Sequence, residues 1–253
     1  MMFAAAQSYL TERRSTMQHR ISTMIGNVIR ATDGDLGKVN EFYFDDAVWT
    51  IRYMVAETGS WLLGRKVLIS LVALKKLDQQ AHALLVNLSC AQVRNSPDID
   101  TEKPVYRQHE EEIHKYYEWP MYWQGGYGGT LGITPYPLFE SSPPVESPDS
   151  KRSDDPHLRS TRHVTGYHIH ATDGEIGHVE DFIVDDETWA IRFLIVDTGN
   201  WLPGKKVFIV PSWIKKVNWA DSSIYLDHPR DKVKNSPEFD SSDPIFRNPE
   251  SHQ

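Results

Sequence analysis

The feature that most constrains this chain is a repeat: residues 26–107 lie over 166–247 at one constant offset, without a gap. Ala31-Thr32-Asp33-Gly34 returns as Ala171-Thr172-Asp173-Gly174, Gly37 as Gly177, and Asp45-Asp46 as Asp185-Asp186. Trp49, Ile51 and Arg52 return as Trp189, Ile191 and Arg192, and "TGSWLLGRKV" returns as "TGNWLPGKKV". A sequence written twice in this way encodes one structural unit twice. A chain of 253 residues has room for two small units in place of one large one.

Each copy reads as short strands punctuated by turns. Asp33-Gly34 and Asp173-Gly174 are dipeptides suited to tight hairpins, and the Asp pairs end the next strand in a turn that their side chains cap. A strand then runs from Trp49 to Ala56, and Thr58-Gly59 and Gly64 bracket an irregular connection. Further strands follow at Lys66–Ile69 with Val207–Val210, and at Leu84–Leu88 with Ile224–Leu226; Val93–Ser96 reads as a helical turn stopped by Pro97. This density of strands and turns predicts an all-β fold: two similar, small, closed or nearly closed barrels, which would hide their edge strands. Their cores should come from matched positions such as Val39, Phe42, Ile51, Val67 and Ile69. The predicted organisation is a leader at 1–25, a barrel at 26–107, a connection at 108–163 and a second barrel at 166–247.

Both copies resemble PRC-barrel domains, a module shared by the H subunit of photosynthetic reaction centres and the C-terminal part of the ribosome maturation factor family. The resemblance is carried by "ATDGDLGKV", "FDDAVWTIRYMVAETG", "WLLGRKVLISLVALKKLD" and "VRNSPDIDTEKPV", with their second-copy counterparts. It implies two PRC-type barrels and a non-enzymatic role as a protein-binding or adaptor module. Its relatives also imply two other expectations: an RNA-metabolism or ribosome-associated factor, and a protein associated with photosynthetic reaction centres or electron transfer. Against these, residues 1–25 offer neither the N-terminal domain of the maturation factors nor the membrane helix of the H subunit.

Charge and composition narrow the classes further. The net charge of −8 and a pI near 5.7 disfavour general binding to phosphate backbones. With 40% hydrophobic and 25% charged residues, the chain falls among ordinary globular proteins. Cys90 is the single cysteine, which excludes an internal disulfide and a thiolate-rich metal site. In "MMFAAAQSYLTERRSTM" the basic residues follow the apolar ones, the reverse of a secretory signal, and no stretch has the length of a membrane helix. The expectation is a cytoplasmic protein.

Chemistry-bearing residues outside the repeat are few. "RQHEEEIHKYYEWPMYW" begins as a charged helix and ends in an aromatic cluster; the following stretch is rich in Gly, Pro and Ser, as a linker is. Tyr116, Tyr117, Trp119, Tyr122 and Trp123 form either a docking strip for a partner or a patch folded back on the barrels. Trp61 and Trp201, kept in both copies within a glycine-rich connection, are expected to cover the barrel mouths, or to bind a partner if exposed. His168 and His170 lie on one side of a strand as metal ligands would, but Val28 and Arg30 replace them in the first copy, so they read as ordinary histidines. His109 and His114 fall on different faces of a solvated helix, and Cys90, replaced by Arg230, reads as inert. Lys66, Lys75 and Lys76, with Lys206, Lys215 and Lys216, form either a basic patch or a solvated rim. No acid, base, nucleophile or ligand set recurs with catalytic spacing, so the chain is read as no enzyme, with neither cofactor nor metal. The expected partner is an unidentified protein, in an acidic or membrane-associated complex or as a homo-oligomer, with RNA disfavoured.

Overall fold

The computed structural model describes residues 17–59, 62, 64–97, 105, 107–123, 157–199 and 205–239. The chain enters through β1 (Gln18–Arg20) and a helical turn, α1 (Ile21–Met24). The first repeat then supplies β2 (Val28–Arg30), β3 (Asp35–Asp45), β4 (Thr50–Thr58), β5 (Lys66–Ser70), β6 (Leu74–Asp78), β7 (Ala83–Val86) and α2 (Cys90–Arg94). Helix α3 (Arg107–Tyr117) follows. The second repeat is led in by β8 (Leu158–Ser160) and α4 (Thr161–Val164), and consists of β9 (His168–Ala171), β10 (Gly174–Asp185), β11 (Ile191–Asp197), β12 (Lys206–Ile209), β13 (Ile214–Asn218), β14 (Ser223–Leu226) and α5 (Arg230–Lys234).

The two repeats build the same sheet. The order is β5-β4-β3-β2-β7-β6 in one and β12-β11-β10-β9-β14-β13 in the other. All pairs are antiparallel except β2 with β7 and β9 with β14. Val39, Phe42, Ile51, Val67 and Ile69 are all buried, as the matched pattern predicts. Helix α2 begins earlier than the helical turn read at Val93–Ser96, because Ser89 and Gln92 form a reciprocal capping box there.

Neither sheet closes into a barrel, which corrects the closure expected from the turn density. The end strands β5 and β6 do not pair with one another; a single 3-10 turn, Leu71–Ala73, carries the chain between them, capped by the Ser70 hydroxyl. What covers the open core is the other repeat. One buried apolar cluster runs through both, with Phe44 against Phe182 at 6.1 Å and Phe42 stacked on Trp189 at 6.3 Å.

The lead-in strands cross between the repeats. β1 precedes the first sheet but pairs with β10 of the second, Gln18 opposite Asp185. β8 precedes the second sheet but pairs with β3 of the first, Leu158 opposite Asp45. Each sheet is therefore seven-stranded only with a strand from the far side. Gln18–Met24, within the stretch read as a leader, forms strand and helix on the second sheet.

Candidate functional site

The repeated residues prove to be occupied with the fold. Asp33 accepts from the Cys90 amide at 2.8 Å, and Asp173 accepts from the Arg230 amide at 2.8 Å. The Asp of each "ATDG" therefore caps the helix at the far end of its own repeat, where the sequence suggested only a hairpin. Of each Asp pair, the first member caps the turn, binding Ala47 N at 3.0 Å or Thr188 N at 2.6 Å. It also faces its own arginine, Arg52 at 3.8 Å or Arg192. The second member holds the crossing strand: Asp46 binds Arg159 at 2.7 Å, and Asp186 lies 3.3 Å from His19. Trp49 and Trp189, both with positive φ, form a reciprocal clasp. The Trp189 carbonyl accepts from Ile51 N at 2.9 Å, and the Trp49 carbonyl accepts from Ile191 N at 2.8 Å.

The unrepeated aromatic segment packs on the first sheet. Residues of β3, β4 and β5 that point away from the shared core (Tyr43, Tyr53, Val55, Leu68) form a second apolar cluster with Val105, Ile113 and Leu158. Tyr117, Trp119 and Tyr122 lie against it. Glu118, with φ +56°, turns the chain back after α3, so that Trp119 stacks on Tyr117 at 4.2 Å. Burial pushes the Tyr117 hydroxyl up to about 12. Trp123 is half-buried, edge-on to His114 at 4.9 Å. Tyr116 remains 38% exposed, its hydroxyl donating to the Gln92 carbonyl. Five of the seven proposed partner-binding residues are thus brought together; Trp61 and Trp201 lie outside the described residues.

Beneath the aromatics lies a polar cluster that the sequence reading missed. Glu110 and His114 are buried, at 0% and 1% exposure, which corrects the view of α3 as a solvated charged helix. Glu110 Oε2 accepts from Tyr122 at 2.6 Å and from Tyr53 at 3.0 Å. His157 Nε2 stands 2.6 Å from Oε1. Tyr53 Oη is 2.7 Å from His114 Nε2, and His114 Nδ1 is 2.9 Å from the Pro120 carbonyl. The Arg52 guanidinium covers the Tyr122 ring at 4.2 Å. The available sequence signal was the spacing of Glu110, Ile113, His114 and Tyr117, which fall on one helical face.

The other chemical candidates are satisfied locally. His168 contacts Glu175 at 2.9 Å and holds its carboxyl below the usual range, while His170 stacks on Tyr225 at 5.1 Å. Burial, then the Asp33 carboxylate, pushes the Cys90 thiol up. Lys75, Lys215 and Lys216 are exposed on β6 and β13; Lys76 pairs with Asp78 and Lys206 with Glu180. No group of His, Cys, Asp and Glu among the described residues is arranged to hold a metal ion, and no helix there is long and apolar enough to cross a membrane.

On the outer face of the second sheet, Ile183, Ile195, Phe193 and Phe208 gather with Phe239. Here the 237–239 segment, bonded through Phe239 N to the Lys206 carbonyl, takes the place that α3 has on the first sheet. The same scaffold therefore carries two different outer surfaces. Comparison with known proteins finds an uncharacterized protein of Deinococcus radiodurans, 39% identical over 66 residues. The match covers 26% of this chain and spans 23% of that relative's length. The family model described as PRC-barrel domain matches residues 166–233, the run from the start of the second repeat into α5.

Proposed function

We propose that the chain is a non-enzymatic protein-binding adaptor of the cytoplasm, a tandem of two PRC-type units fused into one body. The observation that supports this most is the division of labour between repeated and unrepeated residues. The repeated ones cap, clasp and fill the two sheets. The unrepeated segment, the end of α3 and the turn after it, stands on an anchored base and presents Tyr116 of the helix exposed, with Trp119 and Trp123 half-buried after it. Aromatic side chains held in place in this way suit recognition, since they offer large contact area at little entropic cost. The family match to the second repeat agrees with a module whose fold serves as a platform.

The test is Tyr116→Ala with Trp123→Ala in the full chain, used as bait at low and at high salt. Desolvated aromatic contacts are little screened, so the natural chain should retain a protein partner at high salt that the double variant loses, with the near-ultraviolet dichroism of the shared core unchanged. Recovery of RNA alone, released by salt and indifferent to the substitutions, would replace this reading with the ribosome-associated one. The net charge of −8 weighs against that outcome.

A further inference from the structure

The cluster around Tyr53 has a fixed proton inventory. A tyrosine hydroxyl carries one proton. Tyr53 donates it to Glu110 Oε2 at 3.0 Å, so His114 Nε2, 2.7 Å from the same oxygen, must itself be a donor. His114 Nδ1 faces the Pro120 carbonyl at 2.9 Å, and a carbonyl only accepts. An imidazole that donates from both nitrogens is the cation. The alternative, Tyr53 donating to His114, requires a protonated Glu110. Its surroundings oppose that: Oε2, the oxygen facing Tyr53, already accepts from Tyr122 at 2.6 Å, and a hydrogen bond accepted in this way favours the ionised carboxylate.

We propose that His114 is an imidazolium bound to an ionised Glu110 through the Tyr53 hydroxyl, and that this buried proton latches α3 and the aromatic segment to the first sheet. The groups facing the pair come from every neighbouring element. β4 supplies Tyr53 and also Arg52, which covers the Tyr122 ring and pairs with Asp45. The turn after α3 supplies Trp119 and Trp123, both edge-on to His114. The approach to β8 supplies His157. Residues on both sides of the 124–156 connection are thereby tied to one carboxylate.

Closing the latch takes up a proton that a free imidazole, with a pKa of about 6.5, releases at neutral pH. While Glu110 stays ionised, the latch's contribution therefore weakens as pH rises above about 6.5, by up to about tenfold in the closing constant per pH unit. This inference is independent of any partner.

The test is long-range nitrogen–proton NMR of the histidine rings in the full chain at pH 8, with the His114 signals assigned by their loss in His114→Gln. Both ring nitrogens of His114 should be protonated in the natural chain, and only one in Tyr53→Phe and in Glu110→Gln. In those two variants the indole resonances of Trp119 and Trp123 should move toward exposed positions, while those of Trp49 and Trp189 stay. Tyr53→Phe retains the ring and serves should Glu110→Gln fail to fold. A neutral His114 at pH 8 in the natural chain overturns the proposal. So does an imidazolium that survives Tyr53→Phe, or indole resonances that do not respond when His114 loses its proton.

Discussion

Gly37 and Gly177 show at the scale of single residues why the repeat keeps what it keeps. A Cβ on Gly37 would stand 2.1 Å from the Glu57 carbonyl oxygen, and one on Gly177 would stand 1.9 Å from that of Asp197. Neither neighbour is a side chain that could turn aside. Gly37→Ala should therefore lower stability by about 1–3 kcal/mol or more, read as a lower urea midpoint with an unchanged slope. Cys90 makes the opposite case, a residue present in one copy alone. Burial and the adjacent Asp33 carboxylate raise its thiol pKa, which leaves less thiolate at a given pH. Its alkylation by iodoacetamide should reach half-maximal rate at a higher pH than that of a cysteine peptide, and Asp33→Asn should move the profile back down. A profile matching the free peptide would mean the thiol is not shielded. The fold-making role of Gly37 was legible in the sequence from its return as Gly177, although the helix-capping role of Asp33 was not, because its partner lies at the other end of the repeat.

Among the elements, β1 and β8 were the least legible, since three-residue strands carry too little periodicity to be read. Their anchoring is chemical as well as backbone. The buried Asp181 accepts from Arg20 Nε at 2.9 Å and from Ser22 N at 3.1 Å, and the equivalent Glu41 binds Ser160. Asp181→Ala would leave a largely buried guanidinium without this partner and should cost about 3–5 kcal/mol. Amide exchange should then show β1 and α1 detaching before the rest of the second sheet; uniform exchange across the sheet would argue that the strand is held by its ladder alone. Helix α3 was legible as a helix but misread as solvated. Its three consecutive glutamates suggest water on every side, yet Glu110 shares its face with Ile113 and His114, and the outer surface of β4 supplies the hydroxyl that makes burial tolerable.

For the molecule as a whole, the crossed strands and the single apolar cluster predict one unfolding event in place of two. Trp189 lies in the second repeat but stacks on Phe42 and bonds Ile51 of the first. Trp189→Ala should lose about 3–5 kcal/mol and lower the midpoint of probes in both repeats together. Two separated transitions, with only the second repeat weakened, would show that the clasp is incidental. The sequence by itself determined that there are two units, that they are all-β and alike, and which side chains fill them, because hydrophobic alternation and turn chemistry are local and were written twice. Only the tertiary structure decided that the sheets stay open and cover one another, that each borrows a strand from across the molecule, and that Glu110 and His114 meet in the interior. The physical reason is common to all three. A residue matched between repeats looks the same whether its partner lies within its own copy or in the other, and a buried polar pair is recognisable only by the neighbours that exclude water from it.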